Sequence, residues 1–96
     1  MVREISIVES IINYINSLPA GVAEKVQGTY RSSGKADINA CIHGQCVRIE
    51  VKTSDHGNKA SKKQSINLKR WAAAGAICCV AYSLQDVKDL LEKYNV

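Results

Sequence analysis

Apolar residues recur at helical spacing along the N-terminal stretch: Ile5, Ile7, Val8, Ile11, Ile12, Ile15 and Leu18. Pro19 and Gly21 end the run. The spacing predicts a helix over 4–17. A weaker strand pattern follows over 22–31, with Val22, Val26 and Tyr30 as its apolar points, and Ser32-Ser33-Gly34 breaks the chain. Residues 36–42 alternate apolar with polar, and so do residues 46–53. His43-Gly44 between them suits a two-residue hairpin turn, with glycine supplying a positive φ. That turn sets the register. Ile38 then faces Ile49 and Ala40 faces Val47 on the core side, while Cys41 faces Cys46, Asn39 faces Arg48 and Asp37 faces Glu50 on the other.

Residues 54–60 form a polar loop, and Ser61-Lys62-Lys63-Gln64 has the form of a capping box opening a helix. That helix carries Ile66, Leu68, Trp71 and three alanines before Gly75, which suits the position just past a helix end. Trp71 at this spacing reads as a core residue rather than a platform for a base. Ala76–Tyr82 is a continuous apolar run of the length of a fully buried strand. Ser83 then caps a last helix bearing Val87, Leu90, Leu91 and Tyr94. The order is αβββαβα, without repeat, linker or low-complexity segment.

Composition narrows the class. A chain of 96 residues with 46% hydrophobic and 23% charged positions is ordinary globular protein, neither disordered nor fibrous, and its length suits one domain over residues 1–96. No apolar run reaches the roughly 18 residues of a membrane span, and Glu4 and Glu9 interrupt any secretory core. The reading is a protein of the cytoplasm, bacterial or phage-infected, with no membrane partner. Cys41, Cys46, Cys78 and Cys79 match no zinc spacing and are expected as buried free thiols, with Cys78 and Cys79 on opposite faces of a strand. The net charge is +4, but residues 25–70 alone carry +7 and the remainder −3. A basic middle of this kind suits a polyanion, and Lys35, Lys59, Lys62, Lys63, Lys69 and Arg70 are the candidates for phosphate contact. His43, in the turn, is expected to be exposed, and His56, in the polar loop, could approach DNA, although a loop histidine is more often inert.

The hairpin carries the chemistry. Directly opposed side chains on paired strands stand roughly 5 Å apart, so Asp37 and Glu50 would repel unless a divalent cation lay between them. Lys52, two residues on from Glu50, shares its face. Two acids for a metal with an amine beside them are the minimum equipment for metal-assisted attack of water on a phosphodiester. The bland alternative is an ordinary ion pair between Glu50 and Lys52, with Asp37 merely ending a strand.

Gly34-Lys35-Ala36-Asp37, the hairpin, Ile49-Glu50-Val51-Lys52 and Ser61-Lys62-Lys63-Gln64 together resemble the PD-(D/E)XK nuclease superfamily, and within it the virus-type replication-repair nuclease (VRR-NUC) family. The resemblance runs from Glu4 to about Leu91. It implies an α/β fold, a restriction-endonuclease-like αβββαβ core whose mixed sheet is flanked by helices, with an extra C-terminal helix. It also implies that Asp37 and Glu50 are the metal-binding acids, with Val51 in the metal set, and that Lys52 is the catalytic lysine. Gln64 corresponds to a family glutamine near the active site, and Glu4, or alternatively Glu9, to a glutamate of the first helix. Ala36 stands where the family has proline. The activity implied is that of a Mg²⁺- or Mn²⁺-dependent endodeoxyribonuclease without an organic cofactor, acting as a homodimer on branched DNA such as four-way junctions. A catalytically silent DNA-binding module, or a subunit of a larger replication or recombination complex, is the alternative.

Overall fold

The N-terminal apolar stripe folds as α1 (Glu4–Asn16), which buries Ile7, Val8, Ile11 and Ile15. A computed structural model describes residues 4–26, 36–53 and 62–96. After α1 come β1 (Gly21–Lys25), β2 (Ile38–Ile42), β3 (Gln45–Val51), α2 (Lys62–Ala73), β4 (Ile77–Ala81) and α3 (Leu84–Lys93). The sheet order is β1-β2-β3-β4. β1, β2 and β3 pair antiparallel, whereas β4 joins β3 in parallel, because α2 carries the chain back to the starting end of the sheet. This mixed sheet flanked by helices is the expected α/β architecture.

The hairpin register is the one the alternation predicts. Ile38 pairs with Ile49, Ala40 with Val47 and Cys41 with Cys46. His43 (φ 50°) and Gly44 (φ 78°) both take left-handed conformations, as a primed two-residue turn demands. Ile38, Ala40, Ile42, Val47, Ile49 and Val51 therefore share one face. They form the core with the buried stripe of α1 and with Val87 and Leu91 of α3. α3 is capped as expected: the Asp86 N–H donates to Ser83 Oγ at 3.2 Å, and Asp86 Oδ2 in turn accepts from the Tyr82 N–H at 2.8 Å.

Four expectations are corrected. β1 begins at Gly21 and ends at Lys25, and its inward residue is Ala23; Val22 points outward and is 67% exposed. The remainder of the expected strand, residues 27–31, lies outside the described residues. Among the described strands β4 lies at the edge of the sheet, with β3 as its neighbour, and only Ile77 and Ala81 of it are buried. α2 buries no residue, so Trp71 (39% exposed) and Ile66 are surface residues rather than core. Its apolar positions follow helical spacing, but the sheet face beneath them is polar. The thiols are free as expected but none is fully buried: Cys41 is exposed, and Cys46, Cys78 and Cys79 are half-buried.

The joint between α1 and β1 is tight. The Asn16 side chain accepts from the Ala23 N–H (2.8 Å) and donates to the Ala23 carbonyl (3.3 Å), satisfying backbone groups on the outer edge of β1. At Gly21 an added Cβ would collide with the Ile15 carbonyl oxygen and press on Leu18. Since the obstacle is backbone, Gly21→Ala should destabilise the protein by about 1–3 kcal/mol. Urea denaturation checks this: the midpoint should fall at unchanged slope, and an unmoved midpoint would show that the joint has slack.

Candidate active site

Alternation along β3 sends Val47, Ile49 and Val51 into the core, so Cys46, Arg48 and Glu50 face the other way, towards α2. Glu50 lies near the end of β3, where the β2–β3 ladder runs out. Asp37 sits one residue before β2, and its Oδ2 accepts the Val51 N–H at 2.8 Å. That contact takes the place of a β2 partner, since the β2–β3 pairing ends at Ile49 while Val51 pairs only with Ala81 of β4, and it pins the Asp37 carboxylate. The Asp37 carbonyl in turn accepts from Val26 N–H at 2.8 Å, which ties β1 to the same end of the sheet.

Two further side chains converge on Glu50. Lys52 has its backbone N–H on the Ala81 carbonyl at 3.0 Å, so β4 fixes its position just beyond β3. Its Nζ lies 3.4 Å from Glu50 Oε2. Gln64, in the first turn of α2, donates from Nε2 to the same Oε2 at 2.8 Å. Both contacts serve one oxygen. Glu50 Oε1 is buried and has no hydrogen-bond partner among the described residues, in a side chain only 1% exposed.

A carboxylate in this position is in conflict with its surroundings. Burial, first of all, pushes the Glu50 carboxyl from its ordinary 4.5 up to about 8; the charge of Asp37 and hydrogen bonding with that acid push the same way, and Lys52 opposes them. An isolated surface ion pair would show none of this, so the bland reading of Glu50 and Lys52 does not fit. The donor set suits a hard divalent cation: two carboxylates, one with a buried oxygen that receives no hydrogen bond from the described residues. Among the described residues no cluster of three or more His, Cys, Asp and Glu could hold an ion, so Asp37 and Glu50 would supply the acids as a pair, leaving places for main-chain oxygen and phosphate.

The structure thus brings Asp37, Glu50, Lys52 and Gln64 together. Val51 is fully buried on the core face, so only its main chain reaches the site. Glu4 is exposed in the first turn of α1 and bonds to none of these groups, and Glu9 is exposed as well. Lys62 and Lys63 are exposed at the start of α2, and Lys69 and Arg70 further along it. Lys35, His56, Lys59 and Ser61 lie outside the described residues, so the capping box is seen only through Gln64. His43 is exposed in the turn. Burial holds the Cys79 thiol up at about 12 and raises Cys78 as well, which disqualifies both as thiolate nucleophiles at neutral pH. Sequence reasoning did not single out Arg48 as a site residue. Its guanidinium lies 3.9 Å from the centroid of the Trp71 ring, on the same face as Glu50. The cross-strand pairing with Asn39 was visible in the register, but the contact with Trp71 depends on how α2 lies over β3.

No helix among the described residues is long and apolar enough to cross a membrane. Neither a protein-family model nor a curated protein sequence matches the chain. Solved structures do. A VRR_NUC domain superposes with a TM-score of 0.78 at 23% identity, covering 98% of this chain and 99% of its own. A VRR_NUC domain protein gives a TM-score of 0.75 at 16% identity, covering 98% of this chain and 88% of its own. At such identities the likeness is one of fold: this chain has the fold of VRR-NUC domains, in agreement with the resemblance carried by Asp37, Glu50, Lys52 and Gln64.

Proposed function

We propose that this chain is a VRR-NUC-family nuclease, a Mg²⁺- or Mn²⁺-dependent endodeoxyribonuclease that hydrolyses phosphodiester bonds. The observation that carries the reading is Glu50: a buried carboxyl with one oxygen unpartnered, beside a second acid and 3.4 Å from a lysine amine. Asp37 and Glu50 would hold the cation. When bound, it supplies charge neutralisation at the phosphate and a lowered pKa for water. Gln64 keeps Glu50 Oε2 in place and leaves Oε1 free to turn towards a ligand. Lys52 Nζ, tethered by its backbone to β4 and partly exposed, is the group placed to orient or deprotonate the attacking water. Lys62 and Lys63, in the first turn of α2, present charge where the helix N–H groups already favour anions, so phosphate would be drawn to the end of the helix that carries Gln64.

Branched DNA as the substrate and a homodimer as the working form are what the resemblance of the Asp37, Glu50, Lys52 and Gln64 motifs to the VRR-NUC family implies. A unit of 96 residues covers little duplex, and two symmetric cuts need two sites related by a twofold axis. Nicking of supercoiled plasmid with and without Mg²⁺ tests the activity, and a panel of junction, flap, splayed and linear DNAs tests the preference.

Three outcomes are expected. Asp37→Ala and Glu50→Ala should each abolish metal-dependent nicking while DNA binding in gel-shift assays persists, because phosphate affinity resides in the lysines; near-native turnover in either would remove the pair from the reaction. Lys52→Met keeps most of the stem and loses the amine, so its melting curve should stay close to native while single-turnover cleavage drops roughly 10²–10⁴-fold. Unfolding instead of inactivity would mark Lys52 as a structural ion-pair partner.

The third concerns pH. Folded and cation-free, Glu50 titrates at about 8; unfolded, it returns to 4.5. Between those values the folded state holds a proton that the unfolded chain has released, so stability falls as pH rises through the window. Thermal melts in EDTA should therefore show Glu50→Gln gaining on the native protein from pH 4.5 to 8, by on the order of a few kcal/mol at the upper end. Mg²⁺ at pH 8 should raise the melting temperature of the native protein and not of the variant. Parallel pH profiles for the two proteins would contradict the assignment of the titration to Glu50.

A further inference from the structure

The α2 face of the sheet also holds a cavity of about 530 Å³, within the range of small-ligand sites, to which the hydrolytic reading gives no role. Arg48, Arg70, Asn39, Asn67 and Trp71 line it, and no acid lines it among the described residues. Arg48 donates to the Val47 carbonyl at 3.2 Å and has no carboxylate partner among the described residues. Its guanidinium and the Trp71 indole form a stack at 3.9 Å, half-buried on the arginine side and 39% exposed on the tryptophan side. The side-chain amides of Asn39 and Asn67 are half-buried and make no hydrogen bond with the described residues. A planar stack, two partly exposed amides with hydrogen-bonding capacity to spare and a net positive lining are complementary to a nucleobase with its phosphate.

Position narrows the source. Arg48 and Glu50 share a face of β3 about 7 Å apart along the strand. On α2, Gln64, Asn67 and Trp71 fall on one stripe at i, i+3 and i+7: the first holds Glu50, the other two line the cavity. The cavity thus adjoins the acidic site. A free nucleotide would need a dedicated phosphate clamp, whereas the lining offers one exposed arginine, Arg70. A strand whose backbone reaches Glu50 needs no such clamp. Its base must be unpaired, because a base inside a duplex stack exposes neither its face nor its pairing edge.

We propose that this cavity is a subsite for one unpaired nucleotide of a DNA strand lying next to the scissile phosphate. The base packs against the Arg48–Trp71 pair and meets Asn39 and Asn67 at its edge, and Arg70 takes a neighbouring phosphate. The proposal rests on the nuclease reading only for the identity of the polymer and for the phosphate being cut.

Trp71 is the sole tryptophan of the chain, so indole fluorescence reports on the α2 face of the sheet, where this cavity lies. A short oligothymidylate and an abasic oligomer of equal length and charge are titrated in EDTA. The thymidylate should quench Trp71 and bind about tenfold or more tightly than the abasic strand, the span expected for loss of a stacked base. The abasic strand should bind without quenching, and thymidine monophosphate should bind far more weakly than the oligomer. Arg48→Lys keeps the charge and loses the plane. It should erase most of the advantage of the base-bearing strand while leaving abasic binding unchanged. If Arg48→Lys does not melt as the native protein does, Asn67→Ala, on a partly exposed helix position, gives the same comparison. Equal affinity for the two strands, or a base advantage untouched in a well-folded variant, would overturn the subsite. Monophosphate binding as tight as that of the oligomer would overturn its assignment to a strand. Plasmid nicking without base-dependent quenching would sink the subsite and leave the nuclease; quenching without nicking would do the reverse.

Discussion

Glu50 is a carboxyl that the rest of the molecule keeps out of water, and most features of the site follow from that. Hydrogen bonds or countercharge normally compensate a buried acid at both oxygens. Here Gln64 and Lys52 both meet Oε2, Oε1 receives no hydrogen bond from the described residues, and a second acid, Asp37, stands beside the carboxyl. The residue is held there by its neighbours in sequence. Ile49 and Val51 are fully buried on the opposite face, and turning Glu50 towards water would drag them out of the core. The stability of the hydrophobic face thus maintains a strained polar arrangement on the other, a division common at functional sites.

Each surrounding element has a definable part in this. Asp37 completes the hydrogen bonding of β3 where β2 has ended, which places a second acid beside Glu50 without a further strand residue. The parallel strand β4 fixes the backbone of Lys52. The crossover through α2 brings an exposed, cation-bearing helix over the polar face, so its inward stripe carries Gln64, Asn67 and Trp71 in place of aliphatic residues. α1 and α3 do the opposite work: their buried aliphatic residues seal the core face. One side of the sheet is packing and the other is chemistry.

Much of this was legible in the sequence where a local rule had one solution. His43-Gly44 admits a two-residue turn, and strict alternation on both flanks then fixes the register of the whole hairpin, including the proximity of Asp37, Glu50 and Lys52. The helix boundaries followed from Pro19, Gly75 and Ser83 for the same reason. What failed depended on partners distant in sequence. The apolar run of β4 does not reveal that the strand lies at an edge, and the spacing of Ile66, Leu68 and Trp71 does not reveal that the sheet beneath them is polar. The contact of Gln64 with Glu50 came through family resemblance rather than through spacing. The stack of Arg48 on Trp71 is set by tertiary docking, because a β-strand residue and a helix residue in different parts of the chain meet only once α2 lies over β3.

The central claim is that Glu50 is protonated at neutral pH until a cation takes its place beside Asp37. Calorimetric titration with Mg²⁺ in buffers of different ionisation enthalpy measures this directly, because the heat that scales with the buffer counts the protons released on binding. With Glu50 titrating at about 8, release close to one proton per ion is expected at pH 7, fading at higher pH and vanishing in Glu50→Gln. Mg²⁺ binding without proton release at pH 7, or release undiminished in the variant, would contradict it.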